Sequence, residues 1–317
     1  MKNLKENLMH GVFLGAACVS ILAVALICIF LFANGIPAIF EIGPLNFLGG
    51  MRWKPLNDIY GIFPMIVGSI YVTAGAVIVG VPIGILCAVF MARFCPKKIY
   101  PVLKPMIELM AGIPSIVYGF FGLVVIVPLM QDIFGGSGKS VLTASILLGI
   151  MILPTIIGVS ESAIRAVPES YYEGALALGD THERSVFRAV LPAAKSGIMA
   201  GVILGIGRAI GETMAVIMVA GNQAVIPEGL LSGVRTLTAN IVLEMGYAAD
   251  LHREALIATG VVLFVFILII NLLFSLVKRR DTDGCYEYDC ADRRRYSGYC
   301  ACWYGQRRRL RSAYWSH

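Results

Sequence analysis

Residues 171–218 read YYEGALALGDTHERSVFRAVLPAAKSGIMAGVILGIGRAIGETMAVIM. The first half is polar and carries Glu173-Gly174-Ala175, Gly179 and Leu191-Pro192. The second half is apolar, with Arg208 and Glu212 in its middle. An apolar run of ~20 residues is long enough to cross a bilayer as a helix. The segment is therefore a charged loop feeding a membrane helix that holds two ionisable groups, and the rest of the chain reads as its scaffold.

Composition agrees. Of 317 residues, 58% are apolar and 15% charged, with a mean hydropathy of +0.79. A soluble domain carries about 25% charged residues. The pattern predicts an all-α, polytopic membrane protein with spans at 12–33, 66–91, 109–131, 141–160, 197–220 and 255–277. Val12–Ala33 exceeds the roughly 7–15 residues of a signal-peptide core, so it is read as an uncleaved first span. Residues 34–58 are expected to be a polar connection. Pro82 predicts a kink in the second span, and Pro114 a break within the third. Cys18, Cys28, Cys87 and Cys95 lie in or beside apolar runs and read as small buried hydrophobes.

The Lys and Arg residues set an orientation. Segments 1–10, 93–104, 161–195 and Lys278-Arg279-Arg280 carry most of them. The alternate loops hold Arg52, Lys54, Lys139, Arg235 and Arg253. The positive-inside rule then puts both termini in the cytoplasm. Three regions follow: an N-terminal helix with its loop (1–65), a membrane core (66–280) with a cytoplasmic loop at 161–195, and a tail (281–317).

In the fifth span, Gly201/Gly205 and Gly207/Gly211 form two small-xxx-small pairs suited to close helix approach. Arg208 and Glu212 are one turn apart and expected on one helix face. They read either as an ion pair that steadies the bundle or as the lining of an anion path. On the second reading Arg208 attracts an anion and Glu212 accepts a hydrogen bond from a protonated oxygen on it. Hydrogen phosphate brings both features, whereas sulfate at neutral pH brings no proton.

In the loop, Pro168 is expected at the first helical position, with Glu169 complementing the dipole. Gly179 is expected as a left-handed stop. Asp180 is expected to cap a second helix, with Glu183 completing a capping box, and that helix is expected to end before Pro192. Spacing alone leaves open whether this hairpin docks a partner or only connects two spans.

The pattern Glu173-Gly174-Ala175-x3-Gly179-x11-Leu191-Pro192 resembles the EAA loop of bacterial ABC importer permeases, with Gly174 where Ala is usual. The run Gly205-Ile-Gly-Arg208-Ala-Ile-Gly-Glu212-Thr resembles phosphate-importer permeases of the PstC type. The resemblance covers about residues 1–280. It implies a six-helix type I ABC importer permease in the bacterial inner membrane, forming half of a phosphate path. It further implies a second, PstA-like permease subunit, a dimer of ATPase subunits and a periplasmic phosphate-binding protein as partners. Glu173, Gly174, Ala175, Gly179, Leu191 and Pro192 are the expected ATPase-coupling residues, and Arg208 and Glu212 the expected substrate-path residues. Rival readings are a permease for another oxyanion and a signalling scaffold whose loop docks something other than an ATPase.

Gly138-Lys139-Ser140 lacks the Gly that a phosphate-binding loop needs at position 133, which is Ile. ATP hydrolysis is therefore expected from a partner, and the chain is read as a transport subunit rather than an enzyme. His10, His182, His252 and His317 show no metal spacing, and no cofactor is expected. The tail, rich in Arg with Cys285, Cys290, Cys300 and Cys302, lacks the usual zinc-ligand spacing. It is expected to be disordered.

Overall fold

The computed structural model describes residues 2–292. By its contacts the chain divides into two units, Met1–Ile269 and Ile270–His317. Among the described residues six helices are long and apolar enough to cross a membrane: Met9–Ile42, Phe63–Phe94, Ser115–Phe134, Val141–Arg165, His182–Gly211 and Asp250–Leu273.

In chain order, α1 (Lys2–Ile42) and α2 (Pro44–Gly49) precede a small antiparallel hairpin, β1 (Trp53–Lys54) and β2 (Ile59–Tyr60). Then follow α3 (Phe63–Val89), α4 (Tyr100–Gly112), α5 (Ser115–Phe121), α6 (Val127–Phe134) and α7 (Val141–Arg165). The remainder is α8 (Glu169–Ala177), α9 (His182–Ser185), α10 (Leu191–Gly211), α11 (Met214–Val219), α12 (Leu237–Glu244) and α13 (Asp250–Asp292). Residues 281–292 thus end a helix. The tail from 293 onward, with Cys300 and Cys302, lies outside the described residues.

The helix α7 is central: 67% of its apolar window is buried, against 0% for α1. Its flanks are α3 and α10, whose small residues let the backbones close up. A Cβ on Gly201 would meet Ser160 Oγ at 3.1 Å, and one on Gly205 would meet Ile156 at 2.8 Å. Around Gly207 and Gly211 there is open space instead. Only one of the two small-residue pairs is therefore used for packing inside this chain. Large side chains on α1, such as Phe13, Ile21 and Phe30, are mostly exposed, as expected of a lipid-facing helix.

Several expectations need correction. The connection at 34–58 starts later, because α1 continues through Pro37 to Ile42. Its last turns pack on α13, with Ala38 buried in a cluster with Leu256 and Ala258 and Phe32 edge-on to Phe264 at 5.8 Å. The third span begins at Ser115 rather than 109, since Leu109 belongs to the separate helix α4. Pro114 disfavours a helical conformation at the residue before it, and Ile113 is extended (φ −70, ψ 126). Pro168 is the N-cap of α8 rather than its first residue. Thr181, not Asp180, caps α9: its Oγ1 accepts from Arg184 N at 3.4 Å, while Asp180 pairs with Arg184 at 3.2 Å.

The helix after Gly179 does not stop at Pro192. One wide turn, Val186–Val190, carries α9 into α10, and Leu191 N–H bonds to Val186 O five residues back. The same arrangement precedes Pro128 (Val127 N–H to Gly122 O), whereas at Pro96 the wide turn (Cys95 N–H to Phe90 O) ends the helix. A proline inside an α-helix lacks a donor and clashes with the carbonyl four residues earlier. Widening the preceding turn to five-residue bonds moves that carbonyl aside.

Candidate functional site

The side chain of Arg208 leaves the last turn of α10 half-buried. Its Nη1 donates to Thr155 Oγ1 on α7 at 3.3 Å, and it lies within electrostatic reach of the Tyr118 hydroxyl on α5. Among the described residues no carboxylate pairs with it. A guanidinium in an apolar span with a neutral hydroxyl as its hydrogen-bond partner is an uncompensated cation.

Glu212 is not in mid-helix, and it makes no i,i+4 pair with Arg208. The helix ends at Gly211, and Glu212 is extended (φ −70, ψ 131). Local polar groups make that break stable. Thr213 Oγ1 donates to Gly211 O at 3.2 Å, and Thr238 Oγ1 of α12 donates to Glu212 O at 3.1 Å. Glu212 Oε1 accepts from Ala215 N at 3.4 Å, capping α11. Side-chain hydroxyls that offer the backbone an alternative partner loosen helices in this way. Backbone that departs from helix at membrane depth is tolerated where protein or a water-lined cavity satisfies it. The neighbouring span starts just after the extended Ile113-Pro114 link, where Tyr118 OH donates to Met110 O, at the end of α4, at 2.9 Å. Tyr118 of α5 and Ala215, Val216 and Val219 of α11 share one buried cluster, so the helix that follows this link and the helix that follows the break at Glu212 are neighbours.

The loop residues are brought together at the opposite end of α10. Gly179 has φ +90, a left-handed conformation that glycine adopts without strain. Glu173 and Gly174 are exposed, Ala175 and Leu191 half-buried, and Pro192 exposed. Leu178, at the elbow, is 90% exposed. Both limbs of this hairpin are pinned to the wide turn Phe90–Phe94 that follows α3. Arg93 pairs with Glu169 at 3.0 Å and lies over the Tyr172 ring. Tyr172 OH meets His182 Nδ1 at 2.7 Å, and Phe94 packs edge-on against that imidazole.

Two buried carboxylates escaped the sequence reading. Glu161 on α7 accepts from Tyr100 OH at 2.7 Å and from Arg165 Nε at 2.5 Å, and pairs with Lys104 at 3.5 Å. Arg165 stacks over the Tyr100 ring. The Lys104 ammonium is held above the usual lysine range, first by the Tyr100 hydroxyl and then by the Glu161 carboxylate. At the hairpin end, Glu244 gathers Trp53 Nε1 (2.6 Å), Arg235 Nη1 (2.6 Å) and His252 Nε2 (2.9 Å). The available signal was the spacing of Tyr100 and Lys104, and of Glu161 and Arg165, at i,i+4. No local pattern joins Trp53 to Glu244.

Residues 80–281 match the family model described as "Binding-protein-dependent transport system inner membrane component". The chain is 39% identical over 287 residues to the "Probable ABC transporter permease protein YqgH" of Bacillus subtilis, covering 86% of this chain and 93% of that protein. It is 34% identical over 288 residues to the "Phosphate transport system permease protein PstC" of Mesorhizobium japonicum, covering 84% and 88%. It is 33% identical to the "Probable phosphate transport system permease protein PstC" of Methanocaldococcus jannaschii, over 77% of this chain and 84% of that protein. Among solved structures, a bacterial ABC transporter for import of the acidic polysaccharide alginate aligns with TM-score 0.60 and 15% identity, covering 88% of this chain and 99% of that one. The MetNI methionine ABC transporter aligns with TM-score 0.53 and 20% identity, covering 73% and 97%. At these identities the structures speak for the fold alone.

Proposed function

The chain belongs to the family of binding-protein-dependent transport system inner membrane components, and from that premise we propose that it is a permease subunit carrying phosphate. It is a multi-pass membrane transport subunit of an ABC importer, working with a second permease, an ATPase and a substrate-binding protein. The observation that carries the phosphate reading is Arg208: a half-buried guanidinium in a membrane span, bonded to a neutral hydroxyl. An anion in transit supplies the missing counter-charge, and phosphate relatives of similar length support that choice of anion.

Glu212 stands four residues on, at the helix break. One carboxylate oxygen caps α11, and the second can accept a hydrogen bond from the P–O–H group of hydrogen phosphate. A fully ionised oxyanion meets only repulsion there. The exposed elbow at Leu178, with Glu173, Gly174 and Ala175 on the limb before it, is the surface we assign to the ATPase. Closure of the ATPase pair on this elbow pulls α9 and the continuous α10, and so moves Arg208. In this reading the second permease is PstA-like, a periplasmic phosphate-binding protein delivers the cargo, and both termini face the cytoplasm of the inner membrane.

The test is phosphate uptake by the assembled importer carrying Arg208→Gln. Uptake should fall to background while the subunits still copurify. Undiminished uptake would sink the reading.

A further inference from the structure

We infer that Thr155 is a second anion contact in the path, donating its hydroxyl proton to the oxyanion that Arg208 holds; this rests on Arg208 lining that path. Hydroxyls on membrane helices commonly donate to the carbonyl one turn back. Three side chains here do so: Ser162 to Gly158 O (2.8 Å), Ser185 to Thr181 O (2.9 Å) and Thr259 to Ala255 O (2.9 Å). Thr155 does not. Its oxygen receives Arg208 Nη1 at 3.3 Å, and among the described residues its proton goes to no partner.

A hydroxyl oxygen that accepts from a guanidinium keeps one donor, which points away from the cation. Arg208 itself has five N–H donors in a planar fork, one of which is used on Thr155. The two side chains therefore present adjacent donors to one oxyanion. They also face accessible space. Both are half-buried rather than buried. Gly158, one turn from Thr155, and Gly207 and Gly211, flanking Arg208, have nothing within 4 Å of a Cβ built on them. By contrast Ile152, Ile156 and Ala209, beside the pair on the same two helices, form a buried cluster. The polar pair thus sits at the edge of the α7–α10 contact, between that cluster and the open space. Thr155 lies beside Pro154 on the central helix, so its position is set by the best-packed element of the fold.

The experiment uses the complete importer, with both permeases, ATPase and binding protein, in proteoliposomes. Two quantities are read together: phosphate moved, and ATP hydrolysed in response to loaded binding protein. Thr155→Val keeps the shape and removes the donor. It should lower phosphate moved per ATP about tenfold, the scale of one lost hydrogen bond to a charged group, with ATP hydrolysis changed less than about twofold. Thr155→Ser, which keeps the hydroxyl, should restore the ratio. An unchanged ratio in Thr155→Val overturns the proposal. So does a parallel fall in uptake and hydrolysis, which marks a structural role. If the unaltered complex moves sulfate and not phosphate, the cargo reading fails by itself. The valine and serine variants are then compared on sulfate, with the same two outcomes deciding the role of Thr155.

Discussion

The indole Nε1–H of Trp53 donates to Glu244 Oε2 at 2.6 Å across 191 positions of sequence. That bond closes a buried group in which the same carboxylate also holds Arg235 and His252. It ties the β1–β2 hairpin to α12 and the start of α13. The hairpin end of the bundle is therefore held by charge and hydrogen bonding as well as by the Phe47, Ile62 and Leu237 cluster.

Removing the carboxylate should cost more than removing the indole donor. Glu244→Ala leaves Arg235 largely buried without its counter-charge, and breaking such a pair costs about 3–5 kcal/mol. Trp53→Phe keeps most of the ring and loses one hydrogen bond to a charged group, about 1.5–3 kcal/mol. Chemical denaturation of the detergent-purified subunit checks the order. Equal losses would show that Arg235 is not left stranded when Glu244 is removed.

At the other end, Glu161→Ala should free α4 from α7. Tyr100, Lys104 and Arg165 all lose the same buried acceptor. Lys104 and Arg165 are part-exposed and can turn to solvent, so the expected loss is smaller, about 1–3 kcal/mol, and hydrogen exchange should rise first in residues 100–112. Protection there that matches the parent would show that apolar packing of Leu103 and Ile107 suffices.

Gly179→Ala introduces a side chain at φ +90, which costs about 1–2 kcal/mol. The space around Gly179 is open, so the elbow should distort locally. Copurification of the ATPase should weaken while the membrane part keeps its unfolding midpoint. Gly179→Asn, tolerated better in left-handed backbone, should lie between parent and Ala. Undiminished ATPase binding by the Ala variant would detach the elbow from coupling.

Gly205 and Gly207 should respond in opposite ways. A side chain at Gly205 runs into Ile156, whereas Gly207 faces open space. Gly205→Val should destabilise the isolated subunit by about 1–3 kcal/mol through overpacking, and Gly207→Ala should stay within about 0.5 kcal/mol. Thermal unfolding of the two variants side by side decides it. A large loss at Gly207 would mean that α10 packs with a different face.

Much of the candidate site was legible from local signals. Arg208 stood out because a cation within an apolar run is expensive wherever it occurs, and Gly179 because its neighbours read as helix on both sides. Glu212 was placed on the wrong backbone. Its flanking residues read as helix, and the hydroxyl that stabilises the break belongs to Thr238 on another element. Thr155 gave no signal, since a threonine on an apolar helix is ordinary until Arg208 is seen to reach it.

The number and approximate limits of the spans, the helical class and the loop motif follow from sequence alone. Each depends on the free energy of moving one continuous segment out of water, which is set within that segment. Where the helices widen, break or close up was decided by tertiary structure. A helix end at Gly211 or a buried carboxylate at Glu244 survives only if a partner far along the chain satisfies the exposed polar groups. In a low-dielectric interior that satisfaction outweighs local propensity, and the distance of Thr155 and Thr238 from Arg208 and Glu212 in the sequence hides it.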